Sequence, residues 1–294
     1  MAISKVRVQI NGTWHTLTST DGKTYTGTVT APGATSYNNE GGYYDVTVEA
    51  TNTAGTVATQ NASGLAGLKL VVREKVPPVI TIVTPSAGAY VTNNKQTIVF
   101  TVVDETGGSG VNFDSVKVKV DGTAVTGVGR VSSTQFSYTP ATALSDGSHT
   151  VVINASDNDG NAAAEKSITF KVDTVPPTLN ITAPVDALVT NAASVVLRGQ
   201  TNDASSSPVT VKITLNGTDQ GAVTVGSDGV FTKTLTLKSG SNTIIVTATD
   251  SAGKSSSVTR TATLDTSTPV IKSATIAPNP VDAGASMVIT VVVE

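Results

Sequence analysis

The side chains in this chain most able to do chemistry are carboxylates set in turns. Asp157-Asn158-Asp159-Gly160-Asn161 is an oxygen-rich run whose composition suits calcium, a hard cation that prefers a shell of oxygen ligands. Asp104 and Glu105 lie in a Gly-rich loop upstream, and Glu74 precedes a Val-Pro-Pro segment. Asp173, Asp203 and Asp250 recur at corresponding places further along. Calcium held by these acids would stiffen the junctions between neighbouring domains. The competing reading is that Asp and Asn serve turn geometry through side-chain to backbone hydrogen bonds. No other cofactor is implied. Aromatic residues gather near the start, at Trp14, Tyr25, Tyr37, Tyr43 and Tyr44. Of these, Trp14, Tyr37 and Tyr43 would offer a sugar-stacking surface, while Tyr44 falls on a core register.

Catalysis has little to draw on. The chain has two histidines, His15 and His149, and no cysteine, which removes disulfides, thiolate nucleophiles and thiolate metal sites. No Ser-His-Asp order, phosphate loop or zinc spacing is present. A net charge of −3 with no basic run argues against nucleic acid, whose binding rests on phosphate neutralisation. No stretch approaches the length of a membrane span. The chain is therefore expected not to be an enzyme.

The elements that must position these residues are strands. Thr, Val, Ser, Ala, Gly and Asn dominate the 294 residues, a mixture that favours pleated strands and tight turns over helices. Val6-Arg7-Val8-Gln9-Ile10-Asn11-Gly12 reappears as Val116-Lys117-Val118-Lys119-Val120-Asp121-Gly122, and again as Val211-Lys212-Ile213-Thr214-Leu215-Asn216-Gly217. Each copy alternates and then ends in a dipeptide suited to a type I′ hairpin. Gly42, Gly147 and Gly240 each lead a second alternating strand. Its inward sets are Tyr44/Val46/Val48/Ala50, His149/Val151/Ile153/Ala155 and Asn242/Ile244/Val246/Ala248. His149 thus takes the place of Tyr44 and Asn242, and reads as a residue satisfied by local hydrogen bonds rather than a base. Val76-Pro77-Pro78, Val175-Pro176-Pro177 and Thr268-Pro269 punctuate the repeats, as proline suits a linker or a sheet edge.

About seven short strands in a little under 100 residues is the sandwich pattern. The pieces Ala-Ser-Asp-Asn-Asp-Gly-Asn (155–161), Ala-Thr-Asp-Ser-Ala-Gly (248–253), Asp-Gly-Ser-His (146–149) and Val-Pro-Pro resemble bacterial Ig-like domains. That resemblance covers nearly the whole chain. It implies an all-β array of immunoglobulin-like sandwiches, as in bacterial surface adhesins and tailed-phage virion proteins. It identifies a fold rather than a function.

The ends differ from the middle. With strands lettered A to G by the sandwich convention, residues 1–75 supply C to G, and 268–294 supply A and B. Residues 76–174 and 175–267 are expected to be complete domains. Met287, Ile289 and Val291 match Ile98, Phe100 and Val102 as the inward side of strand B. They would face Val6, Val8 and Ile10 of strand C in another copy. Burying about six such side chains, at roughly 1.5–3 kcal/mol each, is on the order of 10 kcal/mol. The expectation is strand donation between copies, giving a head-to-tail filament or ring. A fragment of a longer array, and ends that dock on unrelated partners, are the alternatives.

Met1-Ala2-Ile3-Ser4-Lys5 does not read as an export signal. The functional expectation is a non-enzymatic rod of a phage virion, as a tail or capsid appendage. Its partners would be itself, other virion proteins or cell-surface glycans. The alternatives are a bacterial adhesin or stalk at the cell surface, with weak glycan or protein binding, and a carbohydrate-binding accessory region of a larger enzyme.

Overall fold

Three strands that alternate apolar and polar residues, each closed by Asn-Gly or Asp-Gly, organise the fold. In the computed structural model, which describes residues 2–294, Asn11, Asp121 and Asn216 have φ of 46°, 51° and 51°. Gly12, Gly122 and Gly217 follow at 79°, 78° and 79°. Two successive positive φ values are what a type I′ turn requires, and its twist matches that of the strands it joins.

The chain divides into two compact units, Met1–Thr174 and Val175–Glu294. The first begins with β1 (Ile3–Ile10), β2 (Thr13–Leu17), β3 (Tyr44–Asp45), β4 (Thr47–Asn52), β5 (Val57–Gln60) and β6 (Lys69–Leu70). One sheet runs β2-β1-β4-β5, and β3 pairs with β6. Then come β7 (Val79–Thr84), β8 (Tyr90–Val91), β9 (Ile98–Val103), β10 (Val111–Val120), β11 (Thr123–Ala124), β12 (Gly129–Arg130), β13 (Gln135–Tyr138), β14 (Gly147–Asp157) and β15 (Lys166–Val172). These form two sheets, β12-β13-β9-β7 and β11-β10-β14-β15-β8.

The second unit repeats this plan. It holds β16 (Thr178–Ala183), β17 (Leu188–Thr190), β18 (Ser194–Asn202), β19 (Thr210–Leu215), β20 (Thr218–Asp219), β21 (Val230–Thr236), β22 (Gly240–Thr249) and β23 (Ser255–Leu264). Its sheets are β16-β18-β21 and β17-β23-β22-β19-β20. In both sandwiches the first strand is divided between sheets: β7 and β16 pair antiparallel with β9 and β18, while β8 and β17 pair in parallel with β15 and β23. Pro85 and Pro184 stand at the break, where the missing N–H ends the first ladder. Finally β24 (Ile271–Ala277) and β25 (Val288–Val293) form a two-stranded sheet of their own. No helix among the described residues is long and apolar enough to cross a membrane.

Burial follows the alternation where two sheets face each other. The core of residues 79–172 contains fourteen buried apolar side chains, and that of residues 178–264 contains fifteen. Phe100 stacks on Phe136 across β9 and β13 with ring centroids 5.5 Å apart. In the second sandwich the same position is Gly199, opposite Phe231. A Cβ at Gly199 would lie 2.5 Å from the Phe231 ring, so only glycine leaves that ring its space.

Residues 2–75 bury only Val6, Val8, Val46 and Ala62 among their apolar side chains. The expected open face of Val6, Val8 and Ile10 needs correction, because Val6 and Val8 are buried and Ile10 is half-buried. In the sheet, Val6 stands between Leu17 and Ala50, and Val8 between His15 and Val48. In residues 268–294, by contrast, every side chain is exposed.

His149 is held as the alternation predicts. It is buried on the inward side of β14, with Nδ1 2.7 Å from Asp121 Oδ2 and Nε2 2.7 Å from the Ser145 carbonyl. Both partners are acceptors, so both contacts are satisfied together only when each ring nitrogen carries a proton. Burial works to lower its pKa, but Asp121 and the Ser145 carbonyl outweigh it and raise it above 6.5. Asn242 does the same work in the second sandwich, donating to the Lys238 and Gly240 carbonyls. A raised folded pKa contributes stability that is complete below the unfolded value and is lost as pH rises through the folded value. Proton NMR titration of the two histidines should therefore place His149 above 6.5. Thermal melts of the whole chain should show stability falling above that pH, and His149→Asn should flatten the profile. A midpoint for His149 below 6.5 would contradict the assignment.

Candidate functional site

The acids expected at the junction before β7 do converge in part. Glu74, Asp104 and Glu105 each place a carboxylate oxygen within 4.8 Å of the others. Glu74 lies in the segment entering β7, while Asp104 and Glu105 begin the loop between β9 and β10. Glu74 Oε1 accepts from the Ser109 hydroxyl at 2.9 Å and the Ser109 amide at 3.2 Å. Asp104 Oδ2 accepts from the Gly110 amide at 2.7 Å. Asp104 Oδ1 and Glu105 Oε2 are buried and have no hydrogen-bond partner.

The electrostatics follow from that packing. Burial, with Glu74 and Asp104 close by, pushes the Glu105 carboxyl up to about 7. Burial also opposes ionisation of Glu74, but the Ser109 hydroxyl and amide outweigh it and hold Glu74 below its ordinary range. A proton or a hard cation would satisfy three such converging carboxylates with two orphaned oxygens.

Asp157, the last residue of β14, has both carboxylate oxygens committed, and Asp159 in the turn that follows has one. Asp157 accepts from the Asn161 amide at 2.8 Å and from Asn161 Nδ2 at 2.7 Å. Asp159 Oδ2 accepts from Thr35 Oγ1 at 2.6 Å and from the Glu74 amide at 3.0 Å. Asn161 Nδ2 reaches the Glu74 carbonyl, and Asn38 Nδ2 reaches the Gly108 carbonyl. The run 157–161 is thus a hydrogen-bonded hub joining the segment around residues 35–38, Glu74 and the loop before β10. Thr35, Asn38 and Ser109 carry no motif that would have singled them out.

The later acids are placed as follows. Asp173 donates its amide to the Val91 carbonyl within the first unit. Asp203 accepts from the Ser205 and Ser206 amides at 2.8 and 2.7 Å. Burial works to raise its pKa, but those amides outweigh it and hold the pKa low. Asp250 Oδ1 caps its turn by accepting from the Ala252 and Lys254 amides, each at 2.9 Å. Its Oδ2 is buried without a partner, and an oxygen of Asp203 lies within 4.8 Å of one of Asp250.

Of the three aromatics expected to stack sugars, one lines a cleft. Tyr43 lines a polar cleft of about 570 Å³ with Gln9, Asn11, Asn39, Glu40 and Asp45, and neither Trp14 nor Tyr37 contributes to its wall. Trp14 carries the Arg7 guanidinium 4.0 Å above its ring, and Glu49 holds that guanidinium from β4. Tyr37 is half-exposed, two residues from Thr35.

Fold and turn geometry together define a tandem array of immunoglobulin-like β-sandwiches. Residues 86–174 match the family model of the bacterial Ig-like domain, and residues 177–266 match that of glucodextranase, domain B. No curated protein matches the chain. Among solved structures it is similar to the fibronectin(III)-like modules of Clostridium thermocellum CbhA, at 17% identity over 63% of this chain and 93% of that one, with a TM-score of 0.39. It is also similar to Sidekick-1 immunoglobulin domains 1–4, at 13% identity over 89% and 67%, with a TM-score of 0.41. A structure of a 1.5-MDa bacterial ice-binding adhesin matches at 20% identity over 90% and 88%, with a TM-score of 0.30.

Asp159→Ala would leave the Glu74 amide without its acceptor and the Thr35 hydroxyl with only the Val72 carbonyl, at 3.3 Å. The expected loss is about 1–3 kcal/mol, read from denaturant unfolding of the whole chain. A loss within experimental error would show that water replaces the carboxylate without cost.

Proposed function

We propose that this chain is a non-enzymatic structural or surface module that joins end to end through a shared sandwich. The observation that carries this is the exposure of the β24–β25 hairpin. Ala277 precedes Pro278 and pairs with Val288, as Thr84 precedes Pro85 and pairs with Val99. Met287, Ile289 and Val291 are therefore the counterparts of Ile98, Phe100 and Val102. The latter are fully buried, whereas the former are 50%, 58% and 49% exposed. An apolar hairpin face of this kind marks an interaction surface. The partly filled core of residues 2–75, which has only one four-stranded sheet and a two-stranded pair, is the complementary half.

A second copy is the occupant this reading commits to. The setting is a virion appendage, with a bacterial surface stalk as the alternative. Without cysteine, folding needs no oxidising compartment, which suits either. Light scattering over a concentration series should show mass growing beyond the monomer, and the paired substitution Ile289→Asp with Val291→Asp should abolish that growth. A strictly monomeric, fully folded chain at all concentrations would overturn the reading.

We further propose that Glu74, Asp104 and Glu105 hold calcium at the junction before β7, a reading supported by their two orphaned buried oxygens. Calcium needs the carboxylates ionised, and Glu105 ionises only near pH 7. Affinity should accordingly rise with pH up to about 7 and level off above it, as isothermal titration would measure. A melting temperature at pH 8 that responds to neither calcium nor chelator would remove the proposal.

A further inference from the structure

Resting on that assembly, the geometry points to the receiving edge and its register: Thr24–Gly27 pairs antiparallel with Met287–Thr290 of a second copy, Tyr25 opposite Ile289. The segment Asp21-Gly22-Lys23-Thr24-Tyr25-Thr26-Gly27-Thr28-Val29-Thr30 matches Asp228-Gly229-Val230-Phe231-Thr232-Lys233-Thr234-Leu235-Thr236, with one extra residue after the Asp-Gly turn. In the second sandwich that stretch is β21, which pairs with β18 from Gln200↔Val230 to Ser194↔Thr236.

Backbone hydrogen bonds support the match independently. Thr18 and Thr26 exchange two bonds of 2.9 Å, the counterpart of Gly129↔Ser137 between β12 and β13. Thr26 then corresponds to Ser137, and Tyr25 to Phe136. Successive residues of an antiparallel strand point their N–H and C=O groups to opposite neighbours. With Thr26 turned to Thr18, Tyr25 and Gly27 face the other way. Among the described residues their backbone groups form no hydrogen bond. Tyr25 is half-buried and residues 26–28 are exposed, so this edge is open.

The donor strand offers the matching groups. Val270 and Glu294 exchange bonds of 2.8 and 2.9 Å. By the same alternation Val288, Thr290 and Val292 turn toward β24, while Ile289 and Val291 turn to the free edge. Val288 pairs with Ala277, as Arg198 pairs with Ala183 and Val99 with Thr84. Ile289 thus stands where Gly199 and Phe100 stand, opposite Phe231 and Phe136. Its partner is Tyr25, which places Thr26 opposite Val288 and Gly27 opposite Met287.

The register is testable by crosslinking, because the chain has no cysteine of its own. Thr26 and Val288 are both exposed and would form a non-hydrogen-bonded pair with Cα atoms about 4.5 Å apart, within disulfide reach. Chains carrying Thr26→Cys alone and Val288→Cys alone are mixed in equal amounts, oxidised and mapped by peptide mass. The expected product is a 26–288 disulfide between copies, in roughly tenfold or greater excess over that from Thr26→Cys mixed with Thr290→Cys, whose Cα separation is too large. Thr59→Cys, on the exposed edge strand β5, reports docking elsewhere. Concentration-dependent assembly without the 26–288 link, or with Thr59→Cys capturing Val288→Cys instead, overturns the edge and register and leaves the assembly standing. Absence of assembly at every concentration overturns both.

Discussion

A β-sheet with one apolar face is stable only when something covers that face. Residues 79–172 and 178–264 meet this requirement internally, with two sheets closing on fourteen and fifteen buried apolar side chains. The remaining residues do not. Those from 2 to 75 bury four, and those from 268 to 294 leave every side chain exposed. Each apolar side chain moved out of water is worth about 1.5–3 kcal/mol, against a domain stability of about 5–15 kcal/mol. An apolar face left uncovered in this way therefore gains by being buried, on the scale of a whole domain's stability.

Polar groups show the same economy of position. Asn52, Asp157 and Asp250 occupy equivalent turns, and each uses a side-chain oxygen to receive amides of its own turn. The exceptions are the oxygens left over. Those of Asp104, Glu105 and Asp250 are buried without a partner, a costly arrangement unless something binds them. The orphaned oxygens thus separate these acids from those that serve turn geometry alone.

Much of this was legible in the sequence because it is local and repeated. Alternation in Val6/Val8/Ile10 and its two copies gives strands, and Asn-Gly or Asp-Gly gives the turn that closes them. The place of His149 follows from Asn242 at the same register. Features that depend on distant loops meeting were not legible. Ser109 clamps Glu74, thirty-five positions away, and Thr35 caps Asp159 across 124 positions. Arg7 lies on Trp14 because Glu49, on another strand, holds it there.

The pair formed by Gly199 and Phe231 bears on fidelity. Tandem repeats of one fold are prone to exchange strands with the wrong neighbour, because their backbones are interchangeable. Here the position facing the aromatic ring differs between the two sandwiches, phenylalanine in one and glycine in the next, and its counterpart in the hairpin is isoleucine. A strand bearing Ile289 would strike the Phe231 ring where only glycine fits. Gly199 opposite Phe136 would leave the Phe100 ring's volume empty. Exchanged pairings between the two sandwiches would thus be penalised on steric grounds at this one position, while the backbone hydrogen bonding stayed the same.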